Sequence, residues 1–197
     1  FADYYDPAFM GYSVLRVINE DIIAAGMGFP THGHKDMEII TYVIEGALQH
    51  KDSMGNTAMI KPGEVQTMSA GTGVRHSEFN PLSDSKTHLL QIWILPDAEN
   101  HKPRYGQKSF ADKLKSEGLV LVVSSSGRDG SISIHQDVDM YVGKSENSGE
   151  RTLTTQSSRH LWVQVVKGRV EANGTALTDG DGVALAQTDH LKLAWEY

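Results

Sequence analysis

The chain contains no cysteine. That excludes a disulfide frame, a thiolate nucleophile, a zinc ribbon and an iron–sulfur cluster, so any metal must be held by His, Asp or Glu. Long apolar runs are missing too, and the uninterrupted stretches are too short for a membrane-spanning helix. No charged-then-apolar leader opens the chain, which starts at Phe1. The expectation is a cytoplasmic protein without a membrane span. Basic residues are outnumbered, 18 Lys and Arg against 25 Asp and Glu for a net charge of -7. They are also dispersed, which argues against direct nucleic-acid binding. Helical periodicity is scarce, and only 109–116 reads as a short helix.

What is present is a chain of 197 residues with 19 glycines spaced between segments rich in Val, Ile, Tyr, Trp and Thr. That pattern predicts an all-β fold of sandwich or barrel type. Candidate strands are 12–18, 37–45, 47–51, 57–61, 65–69, 75–79 and 88–95, then 119–123, 131–136, 140–143, 152–156, 161–166, 169–172, 182–186 and 191–195. The polar segment 96–118, with Pro96 and Pro103, reads as a link between two halves, 1–118 and 119–197. A weak internal repeat supports the division. Ile44-Glu-Gly46-Ala-Leu48 followed by Pro62-Gly-Glu-Val65 is echoed by Val166-Lys-Gly168-Arg-Val170 followed by Gly180-Asp-Gly-Val183.

Nine histidines accompany the absent cysteines, and three stand in a pattern. The first half carries Gly26-x5-His32-x-His34-x3-Glu38-x7-Gly46, and later Gly71-Thr-Gly73-Val-Arg-His76-Ser-Glu78-Phe-Asn80. Along extended chain, alternate side chains share a face, so His32 pairs with His34 and His76 with Glu78. Two such pairs converging inside a small barrel present three imidazoles and a carboxylate to one divalent first-row ion. Spacing alone leaves Glu38 and Glu78 as rivals for the carboxylate. The other histidines, at 50, 88, 101, 135, 160 and 190, read as surface or hydrogen-bonded residues.

These two segments resemble the paired motifs of cupins, with Gly71 where the second motif usually has proline. More narrowly, His32-Gly-His34, Tyr42-Val-Ile-Glu-Gly46 and Gly71-Thr-Gly-Val-Arg-His76-Ser-Glu78 are similar to pirin and the bacterial pirin-like proteins. The opening Phe1-Ala-Asp-Tyr-Tyr-Asp-Pro7 and Met10-Gly resemble the bacterial group that includes quercetin 2,3-dioxygenases. The resemblance implies two cupin barrels in tandem, with metal only in the N-terminal one and His32, His34, His76 and Glu78 as its ligands. Counting along the repeat puts Thr154 and Gln156 at the places of His32 and His34, and Ala194 and Glu196 at those of His76 and Glu78. The second barrel is therefore expected to hold no metal. Family chains also run on before Phe1 and past Tyr197, so this barrel is expected to be incomplete at its C-terminal end, with an exposed edge.

The implied activity is dioxygenase cleavage of a flavonol such as quercetin with O2, in which Glu78 doubles as ligand and general base. Three neutral imidazoles and one carboxylate around a divalent ion leave about one positive charge, suited to a mono-anionic ligand. Fe(II) is the first expectation, with Ni, Cu, Co, Mn and Zn accepted by the same donors. Phe29, Met37, Phe79 and Trp93 are candidates for the pocket wall, each with plain core as the rival role. The alternative implied by the resemblance is a metal-dependent redox sensor that regulates transcription by binding a protein partner.

Overall fold

The computed structural model describes residues 6, 7 and 10–196; the opening residues 1–5 of the resemblance above, with 8, 9 and 197, lie outside these. Among the described residues the elements run β1 (Leu15–Ile23), β2 (Gly28–His34), β3 (Glu38–Glu45), β4 (Leu48–Asp52), β5 (Thr57–Ile60), β6 (Glu64–Ser69), β7 (Val74–Phe79), β8 (Thr87–Ile94) and β9 (Arg104–Ser109). After the helix α1 (Ala111–Glu117) follow β10 (Leu119–Ser124), β11 (Ile132–Ser133), β12 (Met140–Gly143), β13 (Gly149–Thr154), β14 (Leu161–Gln164), β15 (Arg169–Ala172), β16 (Thr175–Leu177), β17 (Gly182–Leu185) and β18 (His190–Glu196). No helix among the described residues is long and apolar enough to cross a membrane. Compactness divides the chain after Gly143, whereas the boundary read from the sequence, 118/119, falls at the start of β10.

In the first unit a five-stranded sheet, β1-β8-β3-β6-β9, accompanies a four-stranded one, β2-β7-β4-β5, and a small sheet, β11-β10-β12. The second unit repeats the theme. Its four-stranded order β13-β18-β15-β16 reproduces β2-β7-β4-β5, and its β14–β17 pair reproduces β3–β6. The weak sequence repeat is thus a repeat of cupin topology.

Alternation builds the first interior. Along β7, Val74, His76 and Glu78 are buried while Arg75 and Phe79 are exposed, and along β4, Leu48 and His50 are buried between exposed neighbours. Ile23, Val43, Leu48, Ile60 and Leu89 form one apolar cluster with Phe29 against it, and Ile39, Met68 and Val74 form another with Met37, Met54 and Trp93. A row of paired polar residues crosses the five-stranded sheet as Asn19, Gln91, Thr41, Gln66 and Gln107. Two residues along each strand in one direction lie Trp93, Ile39 and Met68, and in the other Leu89 and Val43. Each buried apolar side chain contributes about 1.5–3 kcal/mol relative to exposure. That outweighs the cost, about 1–3 kcal/mol per unpartnered group, of the polar layer between the clusters.

The link 96–118 is more than a link. It contains β9, the edge strand beside β6, whose polar Arg-Tyr-Gly-Gln-Lys-Ser gives no apolar alternation to read. The strand β2 escapes the pattern because Gly28, Pro30 and Gly33 look like turn residues; Pro30 sits where the register slips between Phe29 and His32, so its missing N–H breaks no ladder bond. Gly71, where the related motif has proline, has φ +46°, which proline cannot adopt. A Cβ there would also fall on the His101 carbonyl oxygen.

Asn80 ties the end of β7 to its surroundings. Its Nδ2 donates to the carbonyls of Ile23 (3.1 Å) and Ser85 (2.8 Å), and its Oδ1 accepts from the Leu82 N–H (2.9 Å). Asn80→Ala is expected to lower the unfolding free energy by about 2 kcal/mol, measured by urea denaturation; an unchanged midpoint would contradict this role.

Candidate metal centre

The antiparallel pairing of β2 with β7 sets His32 directly opposite His76, with His34 two residues along the same face. Gly28 lets the strands come this close, since a Cβ there would fall on the Glu78 carbonyl oxygen. His76 Nε2 lies 3.0 Å from His34 Nε2 and 3.0 Å from His32 Nε2. His32 Nδ1 donates to the Pro30 carbonyl at 2.8 Å. Its proton is therefore on Nδ1, and the Nε2 lone pair faces the other rings, as a metal ligand requires.

The spacing fits an ion. Two nitrogens about 2.1 Å from one ion stand about 3.0 Å apart at right angles and about 3.4 Å apart at the tetrahedral angle. The two pairs through His76 match the right-angle spacing, and the ligand atoms of all three residues lie within 4.8 Å of one another.

Glu78 is brought near but not into the trio. Its Oε1 is 3.9 Å from His76 Nδ1, and its Oε2 accepts from Gln91 Nε2 at 2.8 Å. The side chain is buried, Oε1 makes no hydrogen bond among the described residues, and the Gln66 amide lies close to the carboxylate. The rival, Glu38, is committed elsewhere. It accepts from Ser69 Oγ at 2.7 Å and meets His135 Nδ1 at 3.1 Å, and His135 stacks on His101 with ring centroids 4.0 Å apart.

His50, read from the sequence as a surface or hydrogen-bonded residue, is hydrogen-bonded and also lies beside the centre. It is fully buried opposite Glu78 on β4, its ring 5.3 Å from that of His76. His50, His76 and Glu78 bring ligand atoms within 4.8 Å of one another. Its Nε2 contacts Asp52 Oδ2 at 3.0 Å, and Asp52 also accepts from the N–H groups of Met54 and Asn56 and from Asn56 Nδ2. The spacing His50-x-Asp52 carries the same one-face parity as His32-x-His34, and that was the available signal.

An open cleft of ≈ 380 Å³ borders His34 and is otherwise lined by Gly33, Lys35, Ser53, Gly73, Val74 and Arg75. Phe29, Met37, Phe79 and Trp93 are not among its lining residues. The first two and Trp93 pack against the apolar clusters instead.

In the second unit, register corrects the positions counted from sequence. Gly168 matches Gly46, so Ala172 matches His50, and Ala172 pairs with Leu193 as His50 pairs with Glu78. Leu191 then takes the place of His76, and its partner Leu153 that of His32. These three leucines belong to one apolar cluster, which displaces Thr154, Ala194 and Glu196 from the inferred roles. The count slipped because β17 is shorter than β6, four residues against six, while the turn that follows is the same length.

Burial, then the neighbouring imidazoles, pushes His34 down to about 4 and His76 down to about 3. Burial pushes Glu78 up to about 7 despite the hydrogen bond from Gln91. On acidification below pH 6.5, both imidazoles gain protons in the unfolded chain before they do in the folded one, which lowers stability. Glu78 opposes this between pH 7 and 4.5, since it gains its proton first when folded. Two groups outweigh one. The metal-free protein is expected to lose stability as pH falls from 6.5 towards 4, as read by urea unfolding; a rise across that window would contradict the balance.

Duplicated cupin topology with an imidazole trio in the first copy defines a bicupin. Residues 1–94 match the pirin family and residues 121–197 the quercetinase C-terminal cupin domain. The chain belongs to the pirin family. It is 51% identical over 185 residues to quercetin 2,3-dioxygenase of Escherichia coli K12, an alignment covering 94% of this chain and 79% of that one. It is 45% identical over 195 residues to a putative quercetin 2,3-dioxygenase of Pasteurella multocida, covering 98% and 82%. The crystal structure of the bacterial pirin YhhW from E. coli in complex with nickel(II) superimposes with a TM-score of 0.92 at 47% identity, covering all of this chain and 83% of that one.

Proposed function

We propose that this protein is a metal-dependent dioxygenase that cleaves flavonols such as quercetin with O2, and that His32, His34, His76 and Glu78 are its metal ligands. The observation that carries the reading is that His76 Nε2 lies 3.0 Å from both His32 Nε2 and His34 Nε2, beside a buried carboxylate. It is supported by 51% identity to a relative named for that activity. A divalent transition ion, Fe(II) first and Ni, Cu, Co, Mn or Zn after it, supplies positive charge for a deprotonated flavonol and open positions for it and O2.

The chain's own residues do the rest. Lys35 and Arg75 at the cleft favour an anionic ligand against the protein's overall negative charge. His32, held through Nδ1 by the Pro30 carbonyl, keeps its lone pair on the site. The unpartnered Oε1 of Glu78 takes the 3-hydroxyl proton of the flavonol. Flavonolate and O2 then yield the ring-opened depside and carbon monoxide, so every substrate atom is accounted for in the two products. The leucines of the second barrel leave the metal to the first.

Protein purified without added metal is expected to carry one transition-metal ion per chain by elemental analysis and to consume O2 with quercetin. His76→Ala is expected to lose the ion. Glu78→Ala is expected to slow turnover by about 10²–10⁴-fold at equal metal content. Metal-loaded wild-type protein that consumes no O2 with quercetin overturns the reading, as does a Glu78→Ala rate equal to wild type.

A further inference from the structure

Glu78 is held by a donor that is itself held. The Trp93 indole N–H, which can only donate, donates to Gln91 Oε1 at 3.0 Å. That engagement fixes the amide, so its NH2 group faces Glu78 and donates to Oε2 at 2.8 Å. The flipped amide would set donor against donor at Trp93 and oxygen against oxygen at Glu78. Gln91 and Glu78 are each 1% exposed, so solvent does not compete for either contact. One carboxylate oxygen is thereby occupied, and the other, Oε1, makes no hydrogen bond among the described residues, with the Gln66 amide as the other polar side chain close to the carboxylate.

We propose that Trp93 and Gln91 are positioning residues that pin Glu78 Oε2 and leave Oε1 as the single oxygen offered to the metal and to the substrate hydroxyl. Trp93 acts on the imidazoles as well, for its ring meets His34 edge-on at 5.1 Å and 85°. One indole therefore orients a histidine of β2 and, through Gln91, the carboxylate of β7. Neighbouring β-strand geometry makes the relay possible. Gln91 and Trp93 stand two residues apart on β8 and share its inward face. Toward the substrate hydroxyl the proposal rests on the dioxygenase reading; toward the metal it rests on these contacts.

The test uses Gln91→Met, which keeps length and loses the amide, Trp93→Phe, which keeps a ring and loses the N–H, and the double variant. Ni(II) affinity is measured by chelator competition, the Cu(II)-loaded forms by EPR, and the metal-free folds by thermal melting. Each single variant is expected to bind Ni(II) about tenfold or more weakly and to show shifted copper hyperfine splitting, with metal-free melting close to wild type. The double variant is expected to be no weaker than Gln91→Met alone, because both changes cut one relay. Wild-type affinity and spectrum in Trp93→Phe overturn the proposal, and so do losses that add. If Gln91→Met does not fold, Trp93→Phe decides by the same spectrum. Oxygen uptake with quercetin separates the two readings. No uptake by wild type with the metal effects intact removes the dioxygenase and leaves the positioning; uptake with unaltered metal readouts in the variants does the reverse.

Discussion

The pairing of β2 with β7 is the constraint on which the rest of the centre depends. A one-residue slip of β2 against β7 would turn His32 and His34 away from His76 and Glu78, since side chains alternate with a period of two. The pairing is guarded by features with no chemistry of their own. Gly28 permits the close approach, the irregularity at Pro30 absorbs the mismatch before His32, and Asn80 fastens the far end of β7. A ladder bond lost at any of these places would be felt at the imidazoles before it was felt in the apolar clusters.

The first barrel tolerates a polar middle because apolar layers enclose it. Gln66, Gln91, Thr41, Glu78 and His50 are all buried, an arrangement costly by itself. The matching cross-section of the second unit shows the alternative, with Ala172, Leu191 and Leu193 where His50, His76 and Glu78 stand. One topology is thus filled in two ways, once for donors and once for cohesion.

Much of this was legible in the residues. Parity along extended chain placed His32 with His34 and His76 with Glu78, glycine spacing indicated an all-β fold, and the weak internal repeat indicated its duplication. Strand order could not be read, because nothing in a linear sequence says that β8 lies between β1 and β3. That hid the relay from Trp93 through Gln91, whose members look like ordinary strand residues until β8 is set opposite β7. His50 was missed for a related reason: its burial is decided by the strands across the barrel, not by its neighbours in sequence. Spacing left Glu38 and Glu78 as rivals and the family resemblance implied Glu78; in the structure Ser69 and His135 engage Glu38. Counting failed in the second barrel because strands of unequal length, β17 against β6, shift register without leaving a mark on composition.

His32 and His76 are 44 residues apart in the chain, and β1 pairs with β8 over a longer separation still. Such contacts carry a large loop-closure cost and form late. During synthesis the trio therefore cannot assemble until β7 has left the ribosome, and an ion is accepted only by a chain whose first barrel is nearly closed. Metal loading is in this sense a report on folding, and a chain stalled before that point carries scattered histidines with no common target.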